Sequence, residues 1–286
     1  MKTILKNVLI IFIALFLFAP VFAFAHQPRI TEQKETMVYD PEISKAYYSK
    51  LEGDSQMYRI DSDRSFDLYI NLLVPDIKGQ KRDVYAFVIK DNKMNEPLVF
   101  LDGPNFEWKK FFEPFGFDSY LMGPEYKARV EAGKYDIYVW SANNDSKYSL
   151  AIGEKEAFDL KETINAVNLI HKIKKDFFNE SPASFILSPF GIGYIIIMYI
   201  LAFIIGFLYR LAMKFWGKKS SQRVGKNINK RDRIIRAILG AILLILAITT
   251  IWNPIVLFLS GFLFFEAIFS WCGIYAAMGK NTCPIQ

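Results

Sequence analysis

Between Arg210 and Arg236 ten basic residues stand against a single acid, Asp232, and apolar runs flank this stretch on both sides. Lys/Arg-rich loops stay on the cytoplasmic side of a membrane. The stretch therefore predicts topology before fold: what precedes the first run lies outside, and the two runs after it form a hairpin. The formal net charge of +6 hides a division, because residues 26–184 carry 27 acidic and 22 basic side chains, a net of −5. The positive excess belongs to Lys2, Lys6, the basic stretch and Lys280. It marks orientation and attraction to anionic lipid, at about 1 kcal/mol per basic residue near the surface, and gives no sign of nucleic-acid binding.

At the start, Lys2 and Lys6 precede an apolar run that closes on Ala23-Phe24-Ala25. Basic, apolar and small-x-small segments in that order predict a signal peptide over 1–25, cleaved before His26. Residues 26–158 then change character. Segments 66–72, 84–90, 135–140 and 147–152 read as short strands rich in aromatic and β-branched residues. Gly133 before one strand and Asn143-Asn144-Asp145 between two indicate an antiparallel sandwich. The only cysteines, Cys272 and Cys283, lie outside this part, so it folds without disulfides. Apolar residues Ile164, Val167, Ile170, Ile173 and Phe177 recur at helical spacing, predicting an amphipathic helix over 160–177 that packs on the sandwich or rests on the bilayer.

Residues 185–209 form the first membrane-length run, since about 20 apolar residues cross a hydrocarbon core of roughly 30 Å. Gly191, Gly193 and Gly206 within it offer close-packing points, so association of copies through these helices is one expected outcome. After a basic loop over 210–228, runs 234–251 and 255–275 flank Trp252-Asn253-Pro254, a tight outer turn with Trp252 as interfacial anchor. The fold class is thus a membrane protein with an all-β, jelly-roll-like ectodomain, a linker helix over 159–184 and three transmembrane helices, the last two a hairpin.

Two resemblances bear on this outline. Residues 131–158 resemble the last two strands of secreted pre-peptidase C-terminal or GOLD-like jelly-roll sandwiches, which implies an accessory binding module, some of which hold calcium. Asn229, Asp232, Arg233, Arg236 and Gly240, followed by Cys272, Tyr275, Gly279, Thr282 and Cys283, resemble the YgaP-like inner-membrane domain over about residues 226–284. That family closes on C-P-x-Y-x-x-x-G-x-x-T-C, and Gly273 stands here where Pro is usual. Its best-studied members join the hairpin to a cytoplasmic rhodanese, which the short, cysteine-free loop cannot hold. The membrane hairpin carries over and the sulfur chemistry does not.

Glu266 lies about 11 residues into the last run, roughly 17 Å from the outer turn at 1.5 Å per residue. An ionisable group at such depth is a functional candidate by default; otherwise it is neutral, or paired with Arg233 or Arg236. Cys272 and Cys283, eleven residues apart, either pack or act as a thiol pair near Lys280. Asp232 suits a helix start, and the arginines meet lipid phosphate or Glu266. In the ectodomain Phe106, Trp108, Phe111, Phe112, Phe115, Phe117 and Tyr120 crowd one stretch, either a partner surface or a connection covering one end of the sandwich. Asp61, Asp63 and Asp67 lack EF-hand spacing, and His26 and His171 are isolated. With no nucleophile elbow, P-loop or dinucleotide loop, the chain reads as non-enzymatic, without cofactor or bound metal. Two functions are expected: an ectodomain that binds an envelope protein or small ligand at the cell membrane, or a hairpin that works as a small transporter or redox element through Glu266, Cys272 and Cys283.

Overall fold

The computed structural model describes residues 26–215 and 225–283. The expected signal peptide and residues 216–224 of the basic loop lie outside the described residues. The chain divides into two compact units, Met1–Ser184 and Phe185–Gln286.

The first unit contains strands β1 (Gln27–Ile30), β2 (Glu35–Met37), β3 (Lys45–Lys50), β4 (Gln56–Ser62), β5 (Phe66–Pro75), β6 (Val84–Lys90), β7 (Val99–Asp102), β8 (Lys109–Glu113), β9 (Asp118–Val130), β10 (Gly133–Ser141) and β11 (Lys147–Ile152). They form a six-stranded sheet in the order β1-β3-β11-β5-β9-β8 and a five-stranded sheet in the order β2-β4-β10-β6-β7. Inward-facing residues alternate along the strands: Leu68, Ile70, Leu72 and Leu150 from one sheet meet Ile60, Val88, Ile137 and Val139 from the other. Each such fully buried side chain contributes roughly 1.5–3 kcal/mol. Tyr58 and Tyr148 are completely buried, and each satisfies its hydroxyl on the other at 2.8 Å.

Two expectations change here. The sandwich is mixed rather than purely antiparallel, since β1 runs parallel to β3 and β2 parallel to β4. Parallel neighbours need a crossover. The opposite sheet supplies it: β2 lies between β1 and β3 in the chain, and β3 between β2 and β4. Nor do β10 and β11 pair, for they belong to different sheets. Their connection turns a corner at Asn144, in the left-handed region at φ 47°, whose side chain accepts from Ser141 N–H and donates to the Gly53 carbonyl. Asn tolerates this backbone better than most residues.

Helix α1 (Leu160–Lys172) follows, its N terminus capped by Asp159, which accepts from Glu162 N–H at 2.7 Å. Glu162 in turn grips Arg29 of β1 with two bonds, at 2.8 and 2.9 Å. The amphipathic segment is not α-helical throughout: Ile173–Phe177 is a π turn, closed by Phe178 N–H to the Ile173 carbonyl. Ile173, Phe177 and Phe178 pack with Leu73, Tyr120 and Ala151 on the outer face of the six-stranded sheet, so the helix is docked on the sandwich. Ile164, expected among the packed positions, is about half exposed.

The second unit contains α2 (Pro189–Lys214), α3 (Lys230–Thr249), α4 (Pro254–Phe269) and the short α5 (Gly273–Met278). Only α2, at 26 residues, is both long and apolar enough to cross a membrane among the described residues; α4 is apolar but has 16 residues. Exposed Ile196, Leu201, Ile205, Ile238, Ile242 and Leu259 give the unit an apolar exterior, which suits lipid and not water. Helices approach closely at glycine: a Cβ on Gly206 would lie 2.6 Å from the Phe265 ring, and Gly240 lets Ser260 donate to its carbonyl at 2.7 Å. Asn253 caps α4, and Trp252 is fully buried with its ring 4.9 Å from that of Phe185. It is a packing residue within the unit and not an exposed anchor.

The last apolar run stops earlier than its composition suggests, at Phe269 and not near residue 275. Ser270 adopts φ 54°, and the chain arriving at Asn227 takes over the backbone groups that helix would need: Asn227 N–H donates to Ser270 O at 3.0 Å. Glu266 is consequently in the last turn of α4 instead of in mid-helix.

Candidate functional site

The polar residues singled out in the second unit converge on one polar knot at the end of α4. Asn229 caps α3 by accepting from Asp232 N–H at 2.8 Å, and Asp232 accepts from the Thr282 hydroxyl at 2.6 Å. Arg233 donates through Nε to the Ala267 carbonyl at 2.7 Å, placing a cation at the C-terminal end of α4, where the helix dipole favours it. Arg236 forms an ion pair with Glu266 and lies over the Tyr275 ring at 5.4 Å, with Lys280 at 4.8 Å from the same ring. Of the two arginines expected near Glu266, Arg236 is the one that pairs with it.

Cys272 is completely buried, and Cys283 is half-buried with its Sγ donating to the Ile228 carbonyl at 3.1 Å; both are free thiols. Asn227, assigned to the linker by sequence, is the residue that joins these strands of chain. Its side chain accepts from Cys272 N–H at 2.7 Å and donates to Cys272 O at 2.8 Å, while its own carbonyl accepts from Thr282 N–H at 3.0 Å. A lone Asn before an apolar helix gave no reason to single it out. Gly273 also finds its cause: a Cβ there would lie 2.1 Å from the Tyr209 ring, so the side chain of Tyr209 occupies the space that Pro would need.

In the first unit the aromatic stretch does not act as one surface. Trp108 packs against the main core and donates to the Gly103 carbonyl at 2.8 Å. Phe111 and Tyr120 pack under α1, where Tyr120 bonds Tyr48 at 2.7 Å, and Phe115 lies near Phe158. Phe106, Phe112 and Phe117 are exposed, the last two in edge-to-face contact at 5.0 Å. Asp61 and Asp67 pair with Lys134 and Arg129.

Two other clusters emerge. On the outer face of the five-stranded sheet, Tyr138 stands opposite Phe87, and Phe87 opposite Phe100, while Trp140 stands opposite Tyr85. Their rings interlock, Tyr85 against Trp140 at 5.2 Å and Phe87 against Tyr138 at 5.0 Å. Arg59 and Asp136 form an ion pair at 2.7 Å beside them. Phe100 is 51% exposed, although this face would normally be polar. The signal was present in β6 and β10, whose outward positions are aromatic as well as their inward ones apolar.

The second cluster lies beneath α1. Lys174 is completely buried and meets Asp118, itself buried, at 2.5 Å. Glu113 accepts from Phe115 N–H and Gly116 N–H, each at 2.7 Å. Burial pushes Glu113 up to about 7 and Asp118 up to about 6, against the counteracting Lys174 charge. Lys174 occupies the same helical stripe as Val167, Ile170 and Phe177, a position where a lysine is anomalous.

Among known proteins, residues 224–286 match the family described as "Inner membrane protein YgaP-like, transmembrane domain". This confirms the YgaP-like resemblance of that segment and a membrane location. Two solved structures are similar to part of this chain. One is the pre-peptidase C-terminal domain of a collagenase from Bacillus anthracis, with 13% identity, TM-score 0.26, and 45% of this chain and 97% of that chain covered. The other is CorA of Methylomicrobium album BG8, described as a surface-associated copper-binding protein, with 9% identity, TM-score 0.23, and 45% and 100% covered. No curated protein matches.

Proposed function

We propose that this chain is a non-enzymatic integral membrane protein whose β-sandwich is displayed on the extracytoplasmic side as a binding module for an envelope protein. In this reading α2, α3 and α4 all cross the membrane, and the basic loop and C terminus face the cytoplasm. The observation that carries it is the asymmetry of the sandwich. Its six-stranded sheet is covered by α1, whereas the outer face of the five-stranded sheet presents Tyr85, Phe87, Phe100, Tyr138 and Trp140 with no helix of the same unit packed on them among the described residues. Aromatic residues next to Arg form the energetic centres of protein interfaces. The rings stack against one another and Arg59 is already paired, so the face offers apolar edges, which suit a protein surface better than a polar small ligand.

The hairpin serves as an anchor in this reading. Glu266 is neutralised by Arg236, and Asp232, Thr282 and Asn227 are engaged with one another's elements. A photo-crosslinking residue placed at Phe100 in the intact cell should yield a discrete protein adduct that Phe87→Ser abolishes. The same residue at exposed Lys127, on the other sheet, should yield none. Equal adducts at both positions, or none at Phe100, would remove the binding reading. A C-terminal tag accessible from outside the cell would remove the topology.

A further inference from the structure

The pocket beneath α1 holds ionisable groups that a binding face on the opposite sheet does not use. Lys174 Nζ lies 2.5 Å from Asp118 and 3.7 Å from Glu180, which is half exposed. The carboxylates of Glu113 and Asp118 converge at Gly116: a Cβ built there would lie 3.2 Å from Glu113 Oε2 and 2.2 Å from Asp118 Oδ2. The adjoining cavity, about 40 Å³, has room for a few water molecules. Two carboxylates, Asp118 buried and Glu113 partly so, and one ammonium leave a net negative charge in a site with little room for water.

We propose that this pocket is a proton-operated latch: uptake of one proton by the Glu113–Asp118 pair neutralises it and holds α1 and its π turn more tightly on the sheet. The other titratable groups facing it are Tyr48 of β3, Tyr120 of β9 and His26. Burial keeps Tyr48 and Tyr120 protonated far above neutrality and lowers His26, so the tyrosines stay silent and the histidine acts in the opposite sense. The π turn places Lys174 in the pocket, and π turns often occur where a helix serves a function. Beyond Phe178 the chain passes through Asn179, at φ 57°, before it reaches α2.

The sign follows from burial. A carboxyl whose affinity for the proton is raised by docking strengthens docking as pH falls and weakens it as pH rises. With Glu113 moved from 4.5 to about 7, its contribution alone lowers the opening equilibrium about tenfold between pH 8 and pH 6.

The test is hydrogen–deuterium exchange of the full chain in lipid nanodiscs at pH 6, 7 and 8, corrected for intrinsic exchange. Protection of residues 163–178 should rise about tenfold from pH 8 to pH 6, and more than that of β5. Glu113→Gln should be well protected and flat with pH, and His26→Gln should retain the rise. A flat wild type, a rise equal in β5, a rise persisting in E113Q, or its loss in H26Q would each overturn the latch. If E113Q does not fold, infrared titration of the wild type decides: a buried carboxylic acid ionising between pH 6 and pH 8 supports the latch, and none in that range overturns it.

Discussion

Replacing Lys174 by Met removes the buried ammonium from a pocket that keeps both carboxylates. Asp118, with a side chain only 2% exposed, then stays ionised without its partner or takes up a proton. Breaking a buried pair in this way costs about 3–5 kcal/mol when the remaining charge cannot escape. Protonation offers the escape, at about 1.4 kcal/mol for each pH unit above the ordinary value of 3.8. At pH 8 that route costs about 6 kcal/mol and gives no relief; at pH 5 it costs about 1.6 kcal/mol. The destabilisation should therefore fall from about 3–5 kcal/mol at pH 8 to below about 2 kcal/mol at pH 5. Denaturant unfolding of the detergent-solubilised chain, followed by near-ultraviolet circular dichroism, measures it. Adding Asp118→Asn should restore most of the loss at pH 8, since the unpaired charge is then gone. A K174M cost below about 1 kcal/mol at pH 8, or one independent of pH, would refute the reasoning.

Four further outcomes follow from the geometry. Asn227→Ala removes two buried hydrogen bonds to the Cys272 backbone and should cost about 2–4 kcal/mol, read as a fall in the thermal midpoint in detergent. Gly273→Pro should lower that midpoint, and Tyr209→Ala should recover part of the loss by vacating the space the ring occupies; an additive double variant would show that the two do not compete. Glu266→Gln leaves Arg236 unpaired and should cost about 3 kcal/mol, with Arg236→Met added on top restoring stability rather than lowering it further. His26, lowered by burial, contributes stability that is lost as pH falls below its ordinary value of 6.5, so His26→Gln should reduce the loss between pH 7 and pH 5 measured by the same unfolding assay.

Much of the outline was legible in sequence because it rests on local pattern. The strands 84–90 and 147–152 coincide with β6 and β11, since period-two alternation and flanking turn residues act within a few positions. The hairpin was legible because apolar runs flank Trp252-Asn253-Pro254 and because Asn229, Asp232, Arg236, Gly240 and Tyr275 stand at the spacings of the YgaP-like family. Where the reading failed, a distant group intervened. The last apolar run looks helical to residue 275, yet Asn227 and Ile228 arrive from outside it to bond Ser270 O and end α4. The crowded aromatic stretch left a partner surface and a connection covering one end of the sandwich both open, and only the pairing of β8 with β9 shows which rings share a face.

Sequence alone therefore determined that an apolar C-terminal third follows a disulfide-free β domain, and that a basic stretch separates its apolar runs; composition and periodicity are sums over neighbouring residues. Tertiary structure decided that Arg236 meets Glu266, that Lys174 reaches Asp118 across 56 positions, and that the aromatic face lies on the sheet α1 leaves open. Those pairings depend on which strands share a sheet and where a helix stops. Both are settled by long-range burial of surface and satisfaction of backbone groups, which no short window of sequence contains.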